Sequence, residues 1–186
     1  MDIITILLIA IGLSMDAFAV SVTSGFAVER LRIKHAFRMA LFFGGFQFLM
    51  PILGWFTGLS LKDLITGIDH WVAFVLLFFI GAKMIYESTK MESEKGTGNA
   101  FKLGTLFLLA IATSIDALAV GISLSFLNVA IVSPSIVIGV VTFLLTFAGV
   151  YIGKKFGHFF ESKLEIAGGL ILIGLGFKIL IQHLWM

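Results

Sequence analysis

The chain has 186 residues, 59% of them hydrophobic and only 13% charged, with a mean hydropathy of +1.10. A water-soluble domain carries about 25% charged residues, so this composition excludes a soluble fold and leaves the bilayer as solvent. The net charge is only +2 and there are no cysteines, which argues against a nucleic-acid partner and excludes disulfides, thiolate metal sites and thiol nucleophiles.

A membrane helix needs roughly 20 mostly apolar residues. The first run, 3–27, carries one charge, Asp16, and no basic segment precedes it. It therefore reads as a retained membrane helix rather than a cleaved signal. The second, 37–60, ends its uncharged stretch at Lys62, and the third, 70–88, is interrupted by His70 and Lys83. From Lys102 to Lys154 the only charge is Asp116, and Asn128 with Ser133-Pro134-Ser135 divides this stretch into spans 102–126 and 134–153. The sixth, 164–184, has Lys178 as its only charge from Ile166 onward. The expectation is an all-α, polytopic membrane protein with six transmembrane helices in a single membrane domain, 1–186.

Alternate loops hold the basic residues: Arg30, Arg32, Lys34 and Arg38; then Lys90, Lys95 and Lys102; then Lys154, Lys155 and Lys163. Lys/Arg bias marks the cytoplasmic side, so both termini are expected outside. Trp55, Trp71 and Trp185 then fall at outer helix ends, Tyr86 and Tyr151 at inner ends, and all read as interfacial anchors.

The two halves repeat. Residues 10–20 read AIGLSMDAFAV and residues 110–120 read AIATSIDALAV, with Ser14/Ser114 and Asp16/Asp116 among the identities. At an offset of 95, Gly54-xxx-Gly58 pairs with Gly149-xxx-Gly153, and Gly81-x-Lys83 with Gly176-x-Lys178. Units 1–90 and 100–186, joined by a short cytoplasmic linker, each hold three helices. An odd number inserts the second unit upside down, giving two inverted-topology repeats with a site near the midplane. Both aspartates sit roughly 20 Å along their helices, near the centre of a ~30 Å core.

An ionisable residue at that depth costs at least about 2.5–3.5 kcal/mol on insertion scales. A short Asp cannot snorkel, so both acids must face protein, water or a cation. Ser14, Ser21 and Ser24 accompany Asp16; Thr113, Ser114 and Ser123 accompany Asp116; Gln47, Thr142 and Thr146 are further polar groups within spans. Carboxylates with hydroxyl and amide oxygens suit Mg²⁺, Ca²⁺ or Mn²⁺. The expected metal contacts are Asp16, Asp116, Ser14, Ser114, Gln47 and Thr113. Met15, opposite Ile115 in the repeat, reads as packing. Lys83 and Lys178 read as snorkelling cations, and the four histidines as interfacial. The GxxxG pairs read as close helix contacts.

The paired SMDAFAVS and TSIDALAVG segments, FGGFQFLMPILGWFTG, and DHWVAF with GAKMI resemble the MntP family of manganese efflux pumps over essentially the whole chain. The resemblance implies Mn²⁺ export across a bacterial inner membrane, Asp16 and Asp116 as the transport carboxylates, and a fold related to LysE-type exporters. It departs at Gln47 and Lys83, where some relatives carry Glu and Arg. Mn²⁺ is then substrate, with no cofactor, and alternating access with proton return is the expected mechanism. Oligomeric state is not legible. The alternative is a transporter or channel for another divalent cation or a small amine. An enzyme is not expected: the GxGD signature of intramembrane aspartyl proteases is absent, since Asp116 follows Ser114-Ile115, and there is no nucleotide-binding loop.

Overall fold

The computed structural model describes residues 1–28, 31–65 and 101–156, together with Trp71, Phe74, Val75, Phe78, Phe79, Ala82, Tyr86, Leu170, Ile173 and Phe177. Five helices are described among them: α1 (Ile3–Ala27), α2 (Ile33–Ile65), α3 (Leu103–Ala112), α4 (Ile115–Phe126) and α5 (Val132–Phe156). No strand occurs among the described residues. Among the described residues, four stretches can cross a membrane by length and composition: Ile3–Phe26, Ile33–Ser60, Leu103–Phe126 and Val132–Lys155.

α1 follows the expected bounds. α2 exceeds its expected 37–60 at both ends, because a charged residue ends an apolar run without ending the helix. The predicted 102–126 span is divided: Thr113 and Ser114 form a turn between α3 and α4. Asn128 ends α4 as expected. It adopts the left-handed conformation, φ 55°, while Val129 N–H bonds the Leu124 carbonyl and Asn128 N–H the Ser125 carbonyl. This is a Schellman stop, and asparagine tolerates its positive φ. Pro134 sits in the first turn of α5, where its missing N–H costs nothing.

The third and sixth predicted spans, with Lys83, Lys178, His70, His158, His183, Asp69 and Trp185, lie outside the described residues apart from the single positions named above. Those positions are helical, and the Phe177 ring lies 5.1 Å from that of Phe74 and 6.3 Å from that of Phe78.

α1 packs on α5, α2 packs on both α4 and α5, and α1 scarcely meets α2. Contacts fix the directions. Ser14 meets Thr142 and Val22 meets Gly153, so α1 and α5 run the same way. Gly54 meets Leu118 and Gly58 meets Ile122, so α2 and α4 run the same way. Phe37 stacks edge-on against Phe143 while Phe48 meets Gly139, so α2 opposes α5. Consequently α1 opposes α4.

These contacts occur in matched pairs. A Cβ on Gly54 would strike Leu118 and one on Gly149 would strike Phe18; Gly58 meets Ile122 and Gly153 meets Val22. Gly44 meets the Gly139 carbonyl and Phe143, while Gly139 meets the Gly44 carbonyl and Phe48. Each pair is related by the sequence offsets of 95 and 100. The GxxxG pairs thus do what their spacing predicts: they bring helix backbones into contact.

Candidate functional site

The core consists of two apolar clusters with a polar layer between them. One contains Ile9, Leu13 and Met15 of α1, Ala117, Val120 and Leu124 of α4, and Ile138 of α5. The other contains Ala17 of α1, Met39 and Phe43 of α2, Leu106 and Ala110 of α3, and Val150 of α5. Along each helix the polar residues fall where one cluster gives way to the other. Ser14 and Asp16 do so on α1, Gln47 on α2, Thr113, Ser114 and Asp116 at the α3–α4 junction, and Thr142 and Thr146 on α5. All of these are buried except Asp16, which is half-buried. Met15 packs in the first cluster, as its residue type suggested.

Gln47 joins the two acid-bearing segments. Its Nε2 donates to the Leu13 carbonyl of α1 at 3.0 Å and to the Thr113 carbonyl at the α3–α4 junction at 2.9 Å. Leu13 and Thr113 are equivalent positions of the repeat. Only a nitrogen can face two carbonyls, so the amide orientation is fixed and Oε1 points away. That oxygen is buried without a hydrogen-bond partner among the described residues. Pro51, four residues on, lies inside α2 and cannot donate the backbone N–H that the Gln47 carbonyl would otherwise accept.

At the junction, lost helical bonds are replaced by side chains. Ser114 N–H bonds Ile111, one residue short of the α-helical acceptor, and Ser114 Oγ takes the Ala110 carbonyl at 2.6 Å. Thr113 Oγ1 donates to the Leu109 carbonyl at 2.9 Å. In a continuous helix Ala117 N–H would bond the Thr113 carbonyl. Here it donates to Asp116 Oδ1 at 2.9 Å, and Gln47 holds the Thr113 carbonyl instead. Asp116 thereby sits in the first turn of α4, where the helix dipole favours a negative charge. Asp16 has no such terminus, for α1 runs unbroken through it.

Of the six residues expected to hold a metal, Gln47 contacts both acid-bearing segments, while Ser14 Oγ lies 2.7 Å from Thr142 Oγ1. Ser14 donates its own hydrogen to Ala10, so Thr142 is the donor in that pair. The hydroxyl hydrogens of Ser14, Thr113 and Ser114 all point into backbone, leaving oxygen lone pairs as their remaining capacity. Ser21, Ser24, Ser123 and Ser125 likewise bond back to their own helices. Ser21 and Ser125 also stand in the way of any side chain at Gly149 and Gly58. The hydroxyl hydrogens of these serines are satisfied within their own helices, because in an apolar medium a hydroxyl donates to the nearest carbonyl. No group of three His, Asp or Glu side chains occurs among the described residues.

Two features escaped sequence reasoning. The Gln47-xxx-Pro51 spacing was a usable signal, since proline strips the residue four before it of a bond. Trp55, read as an anchor, in fact donates Nε1–H to the Val129 carbonyl at 2.9 Å and pins the α4–α5 turn.

A family model described as "Putative manganese efflux pump" matches residues 30–180. Proteins named "Putative manganese efflux pump MntP" from Crocosphaera subtropica and Methanosarcina mazei are each 52% identical over 184 residues, covering 99% of this chain and 98% of the relative. One from Methanosarcina acetivorans is 50% identical over 186 residues, the full length of both. No solved structure matches the chain.

Proposed function

The chain belongs to the MntP family, and from that premise we propose that it exports Mn²⁺ from the cytoplasm by alternating access through its polar layer. The family is one of transporters, not enzymes, and the relatives' names supply both the metal and the outward direction. One observation carries the mechanism: two acid-bearing segments on oppositely directed helices are joined by Gln47 in a polar layer sealed on both sides by apolar clusters.

Asp16 and Asp116 supply two negative charges to balance one divalent cation. Each acid's burial is offset by the metal's charge. The oxygens of Ser14, Thr113 and Ser114 complete a hard donor set. The apolar clusters act as the two barriers, opened in turn as one half rocks on the other. Protonation of the carboxylates on the outer side empties the site and returns protons inward.

The six-helix inverted repeat is supported by the matched glycine contacts and the opposed acid-bearing helices. It is supported too by chain direction. α2 and α4 run the same way, so an odd number of crossings joins them, which fits a third span around Trp71–Tyr86. With the basic loops cytoplasmic, both termini face outward from the inner membrane.

The test is to express the chain in cells sensitised to manganese and measure cellular Mn, Mg, Ca, Fe and Zn. Wild type lowers Mn selectively; Asp16→Asn and Asp116→Asn at matched protein levels do not. Selective depletion of a different metal rejects the substrate. Full export by both variants rejects the site.

A further inference from the structure

The Thr113 carbonyl has two competing donors. In a continuous helix it accepts from Ala117 N–H; here it accepts from Gln47 Nε2, and Ala117 N–H turns to Asp116 Oδ1. We propose that Gln47 is the switch that holds this span broken: while its amide occupies Thr113, Asp116 caps its own helix, and when it leaves, the helix closes and the carboxylate is released to the cation. The inference rests on the reading of Asp116 as a transport carboxylate.

Three observations support a real exchange. First, the backbone hydrogen bonds balance, and Gln47 keeps the Leu13 carbonyl as an acceptor. Withdrawing Gln47 frees the Thr113 carbonyl and closure frees Asp116 Oδ1, while Ala117 N–H passes from one acceptor to the other. No backbone donor is stranded in the apolar interior. Second, the distortion is small. Thr113 has φ −77°, ψ −2° and Ser114 has φ −116°, ψ 6°, within about 55° of helical values. Third, Gln47 holds a second carbonyl, Leu13, on the opposite acid-bearing helix. Both bonds are near the ~2.9 Å optimum, so neither tolerates much separation of the helices. Leu13 lies in the same half as Gln47, so rocking one half on the other separates Gln47 from Thr113 while the bond to Leu13 holds, and the state of Asp116 is tied to the relative position of α2 and the α3–α4 junction.

Removing the donor should favour the closed helix and a released carboxylate. Apparent affinity for Mn²⁺ then rises and turnover falls, because the state that withdraws the carboxylate from the metal is lost. One hydrogen bond corresponds to roughly a tenfold change. A purely structural role predicts no such split. A role for Gln47 as a metal ligand through Oε1 predicts the opposite change in KM.

The experiment uses the full chain in proteoliposomes with Gln47→Met, which preserves length, and Gln47→Asn, which stays polar but cannot reach both carbonyls. Mn²⁺ transport should show KM lowered about tenfold together with a reduced kcat. In parallel, the absence of cysteines allows spin labels at Leu8→Cys and Leu108→Cys, equivalent exposed positions on α1 and α3. Without metal, the label separation should be single and narrow with Gln47, and shifted or broadened in either variant. A raised or unchanged KM overturns the switch, as does an unchanged separation. If wild type moves no Mn²⁺ at all, the export reading fails, while the label separation still decides the role of Gln47.

Discussion

The two acid-bearing segments share seven of eleven residues between positions 10–20 and 110–120, yet they fold differently. α1 is continuous and its Asp16 is half-buried; the other is broken at Thr113–Ser114 and its Asp116 is buried at a helix start. Local propensity points the wrong way, since Gly12, the poorer helix former, lies in the unbroken copy and Ala112 in the broken one. The difference comes from what each segment meets. Gln47 reaches both, but only at Thr113 does it replace the helical donor. A similar sequence thus supplies one unbroken arm and one broken arm, an asymmetry that the repeat itself does not encode.

The largest test of this comparison is the conservative lengthening of each acid. Asp116→Glu adds a methylene at a buried helix start and removes the short reach to Ala117 N–H. It should cut Mn²⁺ export at least tenfold, with an overpacking cost of about 1–3 kcal/mol. Asp16→Glu, at a half-buried position, should keep a substantial part of it. Export is read as cellular Mn at matched protein levels, and equal loss in both variants would dissolve the proposed asymmetry.

Next in size are the glycines, where the halves should behave alike. Gly54→Val and Gly149→Val each drive a side chain into the neighbouring helix, against Leu118 in one case and Phe18 and Ser21 in the other. Both should prevent recovery of monodisperse protein after detergent extraction. Gly45→Ala meets nothing within 4 Å and serves as the control that extracts normally. A well-behaved Gly149→Val would show that the two interfaces are not equivalent.

Smaller is Thr113→Val. Gln47 bonds the backbone of Thr113, so removing the hydroxyl leaves that bond intact. The loss is one hydroxyl–carbonyl bond, about 1 kcal/mol, and export should stay within about fivefold of wild type on that basis. A loss as deep as that of Asp116→Asn would instead make the Thr113 hydroxyl a required metal contact.

The smallest effect is expected outside the polar layer. Trp55→Phe removes the bond to Val129 while keeping an aromatic ring, which should lower the midpoint of thermal unfolding in detergent by a few degrees, in line with about 1 kcal/mol. An unchanged midpoint returns Trp55 to the role of a plain interfacial anchor.

Much of the site was legible in the sequence because membrane chemistry penalises exceptions. Asp16, Asp116 and Gln47 stand out within apolar runs, and Asn128 with Pro134 marks a turn by residue type alone. The serines are less legible. Ser21, Ser24 and Ser123 accompany the acids in sequence, and a hydroxyl folded onto its own helix looks the same in sequence as one facing water. The break at Thr113–Ser114 was invisible for a related reason: it depends on a donor 66 residues away in the chain.

The sequence by itself determined the solvent, the helical class, the repeat and the identity of the two acids. Hydropathy, periodicity and charge act residue by residue, and a carboxylate in an apolar run needs a reason wherever the chain goes. The repeat already implied opposed acid-bearing helices; only the tertiary structure decided that a polar layer separates two apolar clusters and that one of two similar segments is broken. Those facts depend on which carbonyl a distant amide reaches, and hydrogen-bond competition is settled by position in space rather than by neighbours in the chain.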